Sequence, residues 1–370
     1  MSGVAHRPPA GAGGRRHPSW PGCEEVRTMA VHSERVQAPS PGSGVAVAAE
    51  IDTSAAGGGA GGTAPKRTRS AGGPGIGSRL APYLLLLPAT VATLALLGWP
   101  LLKTVLLSFQ NLNRRQLVMH LTEWTGFDNY KEQLTDPDFW AVTGRTVAFT
   151  LINVVLIMIG GTLIGLLLNH LGKKMRLALS IALLMAWAMP VVAATTVYTW
   201  LFDQQWGVVN WLLDQLGWHS MADYNWMSDE YSTFFVVILL VVWMSIPFVA
   251  FNMYAGLTTV PKELYEAARM DGAGSLKIFS SVIFPNLKPF FLATTFLEVI
   301  WVFKSFTQVY AINGGGPENL TRTLPVHAFL EGSGSQHYGV GAAIAVLTIL
   351  MLGALMAYYF RIMIKQEDEL

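Results

Sequence analysis

Charge is the scarcest resource of this chain. Asp, Glu, Lys and Arg make up 13% of its 370 residues, where an ordinary soluble domain carries about 25%. Apolar residues reach 52%, which places the chain in a bilayer rather than in water. A net charge of +1 supplies no basic field for nucleic acid. Cysteine is limited to Cys23, so neither a disulfide framework nor a cysteine zinc site can be built. A phosphate-cradling loop requires G-x-x-x-x-G-K-[ST]. Gly172-Lys173 is the sole Gly-Lys pair; Lys174 follows it and Leu167 occupies the position of the first glycine. Neither H-E-x-x-H nor G-x-S-x-G occurs. The chain is therefore expected to hydrolyse no ATP and to bind no metal or cofactor itself.

What is present divides at about residue 78. Residues 1–78 hold "AAGGGAGGTAP" and "AGGPGIGS" and lack apolar periodicity. Such composition cannot bury enough surface to offset ordering entropy, so a disordered tail is expected. Its start has no 7–15-residue apolar core of a secretory signal, and Met29 offers an alternative start. Residues 79–370 form the membrane domain.

A membrane helix needs roughly 20 mostly apolar residues. Six stretches meet this, at 81–108, 146–169, 177–202, 233–255, 289–312 and 340–363. The expected fold is all-α and polytopic, with six transmembrane helices. Pro88, Pro100, Pro190 and Pro247 interrupt these stretches, and Gly161 and Gly165 form a small-xxx-small pair suited to close helix contact. With both termini in the cytoplasm, the inner segments hold Lys66, Arg67, Arg69, Arg79, Lys173, Lys174, Arg176, Lys262, Arg269, Lys277, Lys288, Arg361 and Lys365. The outer ones hold Arg114, Arg115, Lys131, Arg145 and Arg322. Positively charged residues favour the cytoplasmic side, so this orientation is expected.

One inner loop stands out. "TTVPKELYEAARMDGAG" predicts a short helix with Pro261 at its first position and Gly272 at its exit. Leu264, Ala267 and Ala268 share one face. A second helix is expected from Ser275 to about Phe284, ended by Pro285. By pattern alone this pair is an interfacial amphipathic element.

Its spacing carries more. Glu266-Ala267-Ala268, Gly272 after three residues, then Val282, Phe284 and Pro285 resemble the EAA loop of permease subunits of binding-protein-dependent ABC importers. "GFDNYKEQLTDPDFW" (126–140) resembles the outer segment after the first span in sugar-importer permeases of the maltose type. "INGGGPENLTRTL" (312–324) is similar to their glycine-glycine-proline loop, and "APYLLLLPATVATLALLGWPLLKTVLLSF" (81–109) to their first span. The resemblance covers residues 80–370. It implies that Glu266, Ala267, Ala268, Asp271, Gly272 and Pro285 belong to a segment that docks on an ATPase subunit. It further implies a second permease subunit in a heterodimer, two ABC ATPase subunits that use ATP and Mg, and an extracytoplasmic substrate-binding protein. The implied cargo is a sugar or oligosaccharide and the implied place is the bacterial cytoplasmic membrane.

Ionisable groups within a span are functional candidates by default. At 100° per residue, Thr294, Glu298, Trp301, Lys304, Ser305 and Gln308 fall on one stripe of the fifth span. Sugars suit such a wall: hydroxyls need polar partners and C–H faces stack on rings. Glu298 and Lys304 can equally serve interhelical contacts. Asn252, with Asn153, Tyr198 and Tyr254, is a further pathway candidate or a packing residue. His120, His219, His327 and His337 are expected as solvated loop residues. The rival readings are the same importer class with a glycerol phosphate or other polyol ester as cargo, and an ion-coupled secondary transporter.

Overall fold

The computed structural model describes residues 76–367. Cys23, Met29, the basic residues 66–69 and nearly all of the expected tail lie outside them. The described residues are helical almost throughout, as residues starved of charge and facing lipid must be, because a helix satisfies its own backbone polar groups.

In chain order, α1 (Ile76–Thr93) passes through a π turn (Leu94–Gly98) into α2 (Trp99–Leu107). The short helices α3 (Arg114–Val118) and α4 (Asp128–Thr135) lead to α5 (Pro137–His170). Then come α6 (Lys173–Trp187), α7 (Val191–Leu201), α8 (Val208–Gln215) and α9 (Glu230–Thr259). The loop helix α10 (Lys262–Met270) precedes α11 (Ser275–Ile278), a π turn (Phe279–Ile283) and α12 (Phe284–Phe303). The chain ends with α13 (Thr307–Asn313), α14 (Leu324–Phe329), a π turn (Leu330–Gly334) and α15 (Tyr338–Glu367). Five helical stretches are long and apolar enough to cross a membrane, and the α6–α7 pair makes six.

Three expectations about the spans change. The third span is not one helix: α6 and α7 meet at 96°. Pro190 sits at the corner, where its ring removes an N–H and disfavours helical backbone in the residue before it. In contrast, Pro285 does not end a helix. The backbone runs on from α11 into α12 because the π turn shifts the bonding, Phe284 N–H donating to the Phe279 carbonyl. The same device precedes Pro100, where Trp99 N–H reaches the Leu94 carbonyl. Finally, α5 begins nine residues before the expected start. Asp136 caps it by accepting from Asp138 N–H at 2.9 Å, so residues 137–140 are helix rather than outer loop.

The core is built on α5 and α9. A methyl group at Gly161 would lie 2.5 Å from Val249, and one at Gly165 would lie 2.8 Å from Met253. The small-xxx-small pair is what lets these two helices touch. Phe149, Ile157, Ala194, Leu240, Met253, Val302, Val309 and Val326 join α5, α7, α9, α12, α13 and α14 in one buried cluster. The α15 helix lies against α2, α12 and α14, and Tyr359 donates to the Leu292 carbonyl at 2.8 Å. The first span keeps Leu85, Leu86, Leu94 and Leu96 exposed, a surface for lipid or another subunit.

Candidate functional site

Two regions, one toward each end of α12, carry the candidate residues. The first is the loop between α9 and α11. Pro261 is the cap before α10, one place earlier than expected, with φ −59° and ψ 138°. The exit is a Schellman motif. Gly272, at φ +75°, donates to the Arg269 carbonyl, and Ala273 donates to the Ala268 carbonyl, each at 3.0 Å. The second Ala of Glu-Ala-Ala is thus the acceptor that closes the helix. No residue of α10 is buried. Tyr265 anchors it inward, joining Leu257, Ile283, Leu287, Ile278, Phe279 and Leu166. Burial pushes the Tyr265 phenol up from its ordinary value, and its oxygen has no hydrogen-bond partner among the described residues.

Beside α10 lies a groove of about 660 Å³ lined by Leu264, Ala267, Ala268, Asp271, Gly272, Lys277 and Val282, among others. Of the coupling candidates, Ala267, Ala268, Asp271 and Gly272 lie on this groove. Glu266 is exposed and outside its lining, and Pro285 is in the first turn of α12. At the same end of the bundle, Arg176 donates to the Leu168 and Leu171 carbonyls at 2.8 and 2.9 Å. It closes the C-terminus of α5, where a cation is favoured.

The second region is a cavity of about 420 Å³ walled by Trp187, Met189, Val191, Ser245, Trp301, Lys304, Ser305 and Gln308, among others. It lies at the far end of α12, whose 20 residues span about 30 Å. The expected continuous stripe is interrupted, since α12 stops at Phe303 and α13 starts at Thr307. Trp301, Lys304, Ser305 and Gln308 nevertheless converge on the cavity, with the helix break in place of helical phase. The opposite wall is the corner between α6 and α7, which places Trp187, Met189 and Val191. Two helix breaks thus face one space, and irregular backbone in a span is tolerated where it lines a cavity. Trp187 and Ser245 are contributions that sequence reasoning missed. Pro190 was the available signal for the first; nothing in α9 marked the second.

Trp301 packs on Phe248 with ring centroids 4.8 Å apart. Lys304 is exposed and supplies the charged group among the lining residues. Glu298 is fully buried at 0% exposure, and Thr294 is buried one turn before it. Asn252 donates to the Phe248 carbonyl of its own helix at 2.9 Å and is not among the cavity residues. Asn153 is buried and bonds its own helix similarly, to the Phe149 carbonyl at 2.8 Å.

The glycine-glycine-proline loop is pinned to α5. Arg145 donates to the Leu320 carbonyl at 2.7 Å, and Leu324 N–H donates to the Thr146 hydroxyl at 2.9 Å. His327, expected in solvent, is 4% exposed, and neither ring nitrogen finds a hydrogen-bond partner among the described residues. The loop folds back as α14 onto the bundle and carries His327 inward. Burial holds its imidazole below the usual histidine range, against the opposing field of Glu331.

Comparison with known proteins shows the family of the chain. The profile of the family described as "Binding-protein-dependent transport system inner membrane component" matches residues 161–365, which include the loop and the cavity. The diacetylchitobiose uptake system permease protein DasB of Streptomyces coelicolor is 65% identical over 84% of this chain and 93% of its own length. The sulfoquinovosyl glycerol transport system permease protein SmoG of Agrobacterium fabrum is 33% identical over 79% of this chain and 93% of its own. The trehalose/maltose transport system permease protein MalF of Thermococcus litoralis is 31% identical over 76% and 92%. The crystal structure of a bacterial ABC transporter that imports alginate superposes with a TM-score of 0.68 over 78% of this chain and 97% of that one. At 16% identity that likeness speaks to fold alone. These matches are not confined to maltose-type permeases, so that narrower expectation does not carry over. The chain belongs to the family of binding-protein-dependent transport system inner membrane components, as a permease component of an ABC-type importer.

Proposed function

We propose that this chain imports an oligosaccharide, and that an N-acetylated disaccharide of the diacetylchitobiose kind is the first cargo to test. The observation that carries the reading is the cavity between the two helix breaks. Trp187 and Trp301 offer faces for sugar C–H groups, while Lys304, Ser305 and Gln308 offer polar partners. The 65% identity to a diacetylchitobiose permease supports the choice of sugar.

In this reading the chain pairs with a second permease subunit, two ATPase subunits and an extracytoplasmic binding protein. Both termini face the cytoplasm of a bacterial cell. ATP and Mg act on the partner ATPases, and this chain contributes no covalent step. Ala267, Ala268, Asp271 and Gly272 form the coupling surface, with Glu266 on its exposed flank. ATPase closure displaces α10 as a rigid body. Tyr265 passes the displacement to Ile283 and Leu287, and α12 carries it to the cavity. A methyl group at Gly256 would meet Leu287 at 2.6 Å, so α9 must move with α12.

The second reading is an anionic ester, favoured by Lys304 at the cavity. Reconstitution of the chain with its native partners in liposomes separates them. ATP-dependent uptake of diacetylchitobiose in preference to maltose and glycerol phosphate is expected. Preference for glycerol phosphate favours the ester. Uptake that follows an ion gradient without ATP refutes the importer mechanism.

A further inference from the structure

The segment between α7 and α9 serves neither the α10 loop nor the cavity at the helix breaks. It adjoins the start of α9, whose 30 residues run about 45 Å to the α10 end. Its backbone is held at every joint. Asp203 accepts from the Gln205 and Trp206 N–H groups at 2.9 and 2.8 Å, and Gly207 N–H donates to the Asp203 carbonyl at 3.1 Å. A Cβ at Gly207 would run into that same carbonyl. Asn210 is buried and donates to the Gln204 and Tyr224 carbonyls at 3.1 and 2.9 Å. It also accepts from the Trp226 indole at 2.6 Å, and Trp226 packs on Phe202 and Phe235.

On this frame Trp206 and Trp211 stand 77% and 63% exposed. With Gln205, Asn210, Asp214 and Ala222 they line a cavity of about 360 Å³, a size that small ligands fill. One Asp214 oxygen lies 2.7 Å from His219 Nδ1. Residues 203–232 contain no Lys or Arg, so an anion finds no cation there. Two ring faces beside an amide and a carboxylate suit a neutral sugar. The rings take its C–H faces, Asp214 accepts from its hydroxyls, and Gln205 both donates and accepts. Bilayer anchoring, the other use of tryptophan at a span end, needs no cavity with a carboxylate in its wall.

We propose that this cavity is a second sugar site, which holds a neutral oligosaccharide before it reaches the cavity at the helix breaks. Val191 lines that first cavity, and the 11 residues of α7 carry the chain about 16 Å from it to the second. The inference rests on the proposed orientation and on sugar as the cargo class, not on the choice of diacetylchitobiose.

The test uses the purified assembly of this chain with its partner subunits in lipid nanodiscs, labelled with fluorotryptophan and assigned by single Trp→Phe variants. Diacetylchitobiose, cellobiose and maltose are titrated, and fluorine resonances are read. The Trp206 and Trp211 signals are expected to shift saturably with at least one sugar. Trp218, exposed but outside the lining, should stay still. Trp206→Ala is expected to abolish the Trp211 shift. Asp214→Ala should raise the half-saturating concentration roughly tenfold, as for a lost hydrogen bond to a charged group. Shifts at Trp301 with none at Trp206 or Trp211 overturn the second site and leave the first standing. Shifts at Trp206 and Trp211 with cellobiose or maltose alone uphold the site and overturn the choice of cargo. Broadening of both signals by spin-labelled lipid, unrelieved by any sugar, makes them bilayer anchors and overturns the inference.

Discussion

Gly272 and Gly274 provide a paired test of the coupling loop. Neither has an atom within 4 Å of where a Cβ would stand, so packing is not at issue at either position. They differ in backbone: Gly272 has φ +75°, whereas Gly274 has φ −72°. An L residue in the left-handed region costs about 1–2 kcal/mol, which corresponds to a ~5- to 30-fold change in an equilibrium. Gly272→Ala should therefore raise the opening equilibrium of the α10 exit by that factor. The amides of Gly272 and Ala273 close the Schellman motif, so their hydrogen exchange reads it directly. Exchange at residue 273 should speed up ~5- to 30-fold in Gly272→Ala and stay unchanged in Gly274→Ala. Transport-coupled ATPase activity of the assembled complex should fall in the first variant only. Equal exchange in the two variants, or acceleration in Gly274→Ala, would refute the reasoning that the left-handed exit shapes this loop.

Two further outcomes follow from packing and charge. Gly161→Ala sets a methyl 2.5 Å from Val249 and should cost about 1–3 kcal/mol. Gly144→Ala on the same helix meets open space and should cost nothing or stabilise slightly; thermal midpoints in detergent compare them. His327 is held neutral by burial, with Glu331, Arg322, Asp138 and Asp136 facing it. Its folded value lies below the unfolded one of about 6.5, so the unfolded state binds the proton first and stability falls as pH drops below about 6.5. The loss is at most about 1.4 kcal/mol per pH unit until the folded group also titrates. His327→Phe should remove that acid-side loss, and midpoints between pH 7.5 and 5 that match wild type would contradict it.

The all-helical membrane class, the family and the position of the loop were legible in the order of the amino acids. Those rest on local signals: apolar runs long enough to span, and a Glu-Ala-Ala to Gly272 spacing within one turn-rich segment. Gly272 was legible as a helix exit because only a residue without a side chain adopts that backbone cheaply. The prolines were legible as irregularities but not in kind. Pro190 turns the chain through 96°, while Pro285 is absorbed by a π turn, because the outcome depends on whether neighbouring carbonyls can rebond. Packing between distant helices settled the cavity. Trp187 and Trp301 are more than 100 residues apart, and a helical wheel cannot bring two broken spans together. It also decided the burial of His327, because no local pattern reveals that the loop after α13 folds back onto α5. Periodicity reports which face of one helix is apolar; which helix it meets, and where backbone is left free at the meeting, is settled by packing.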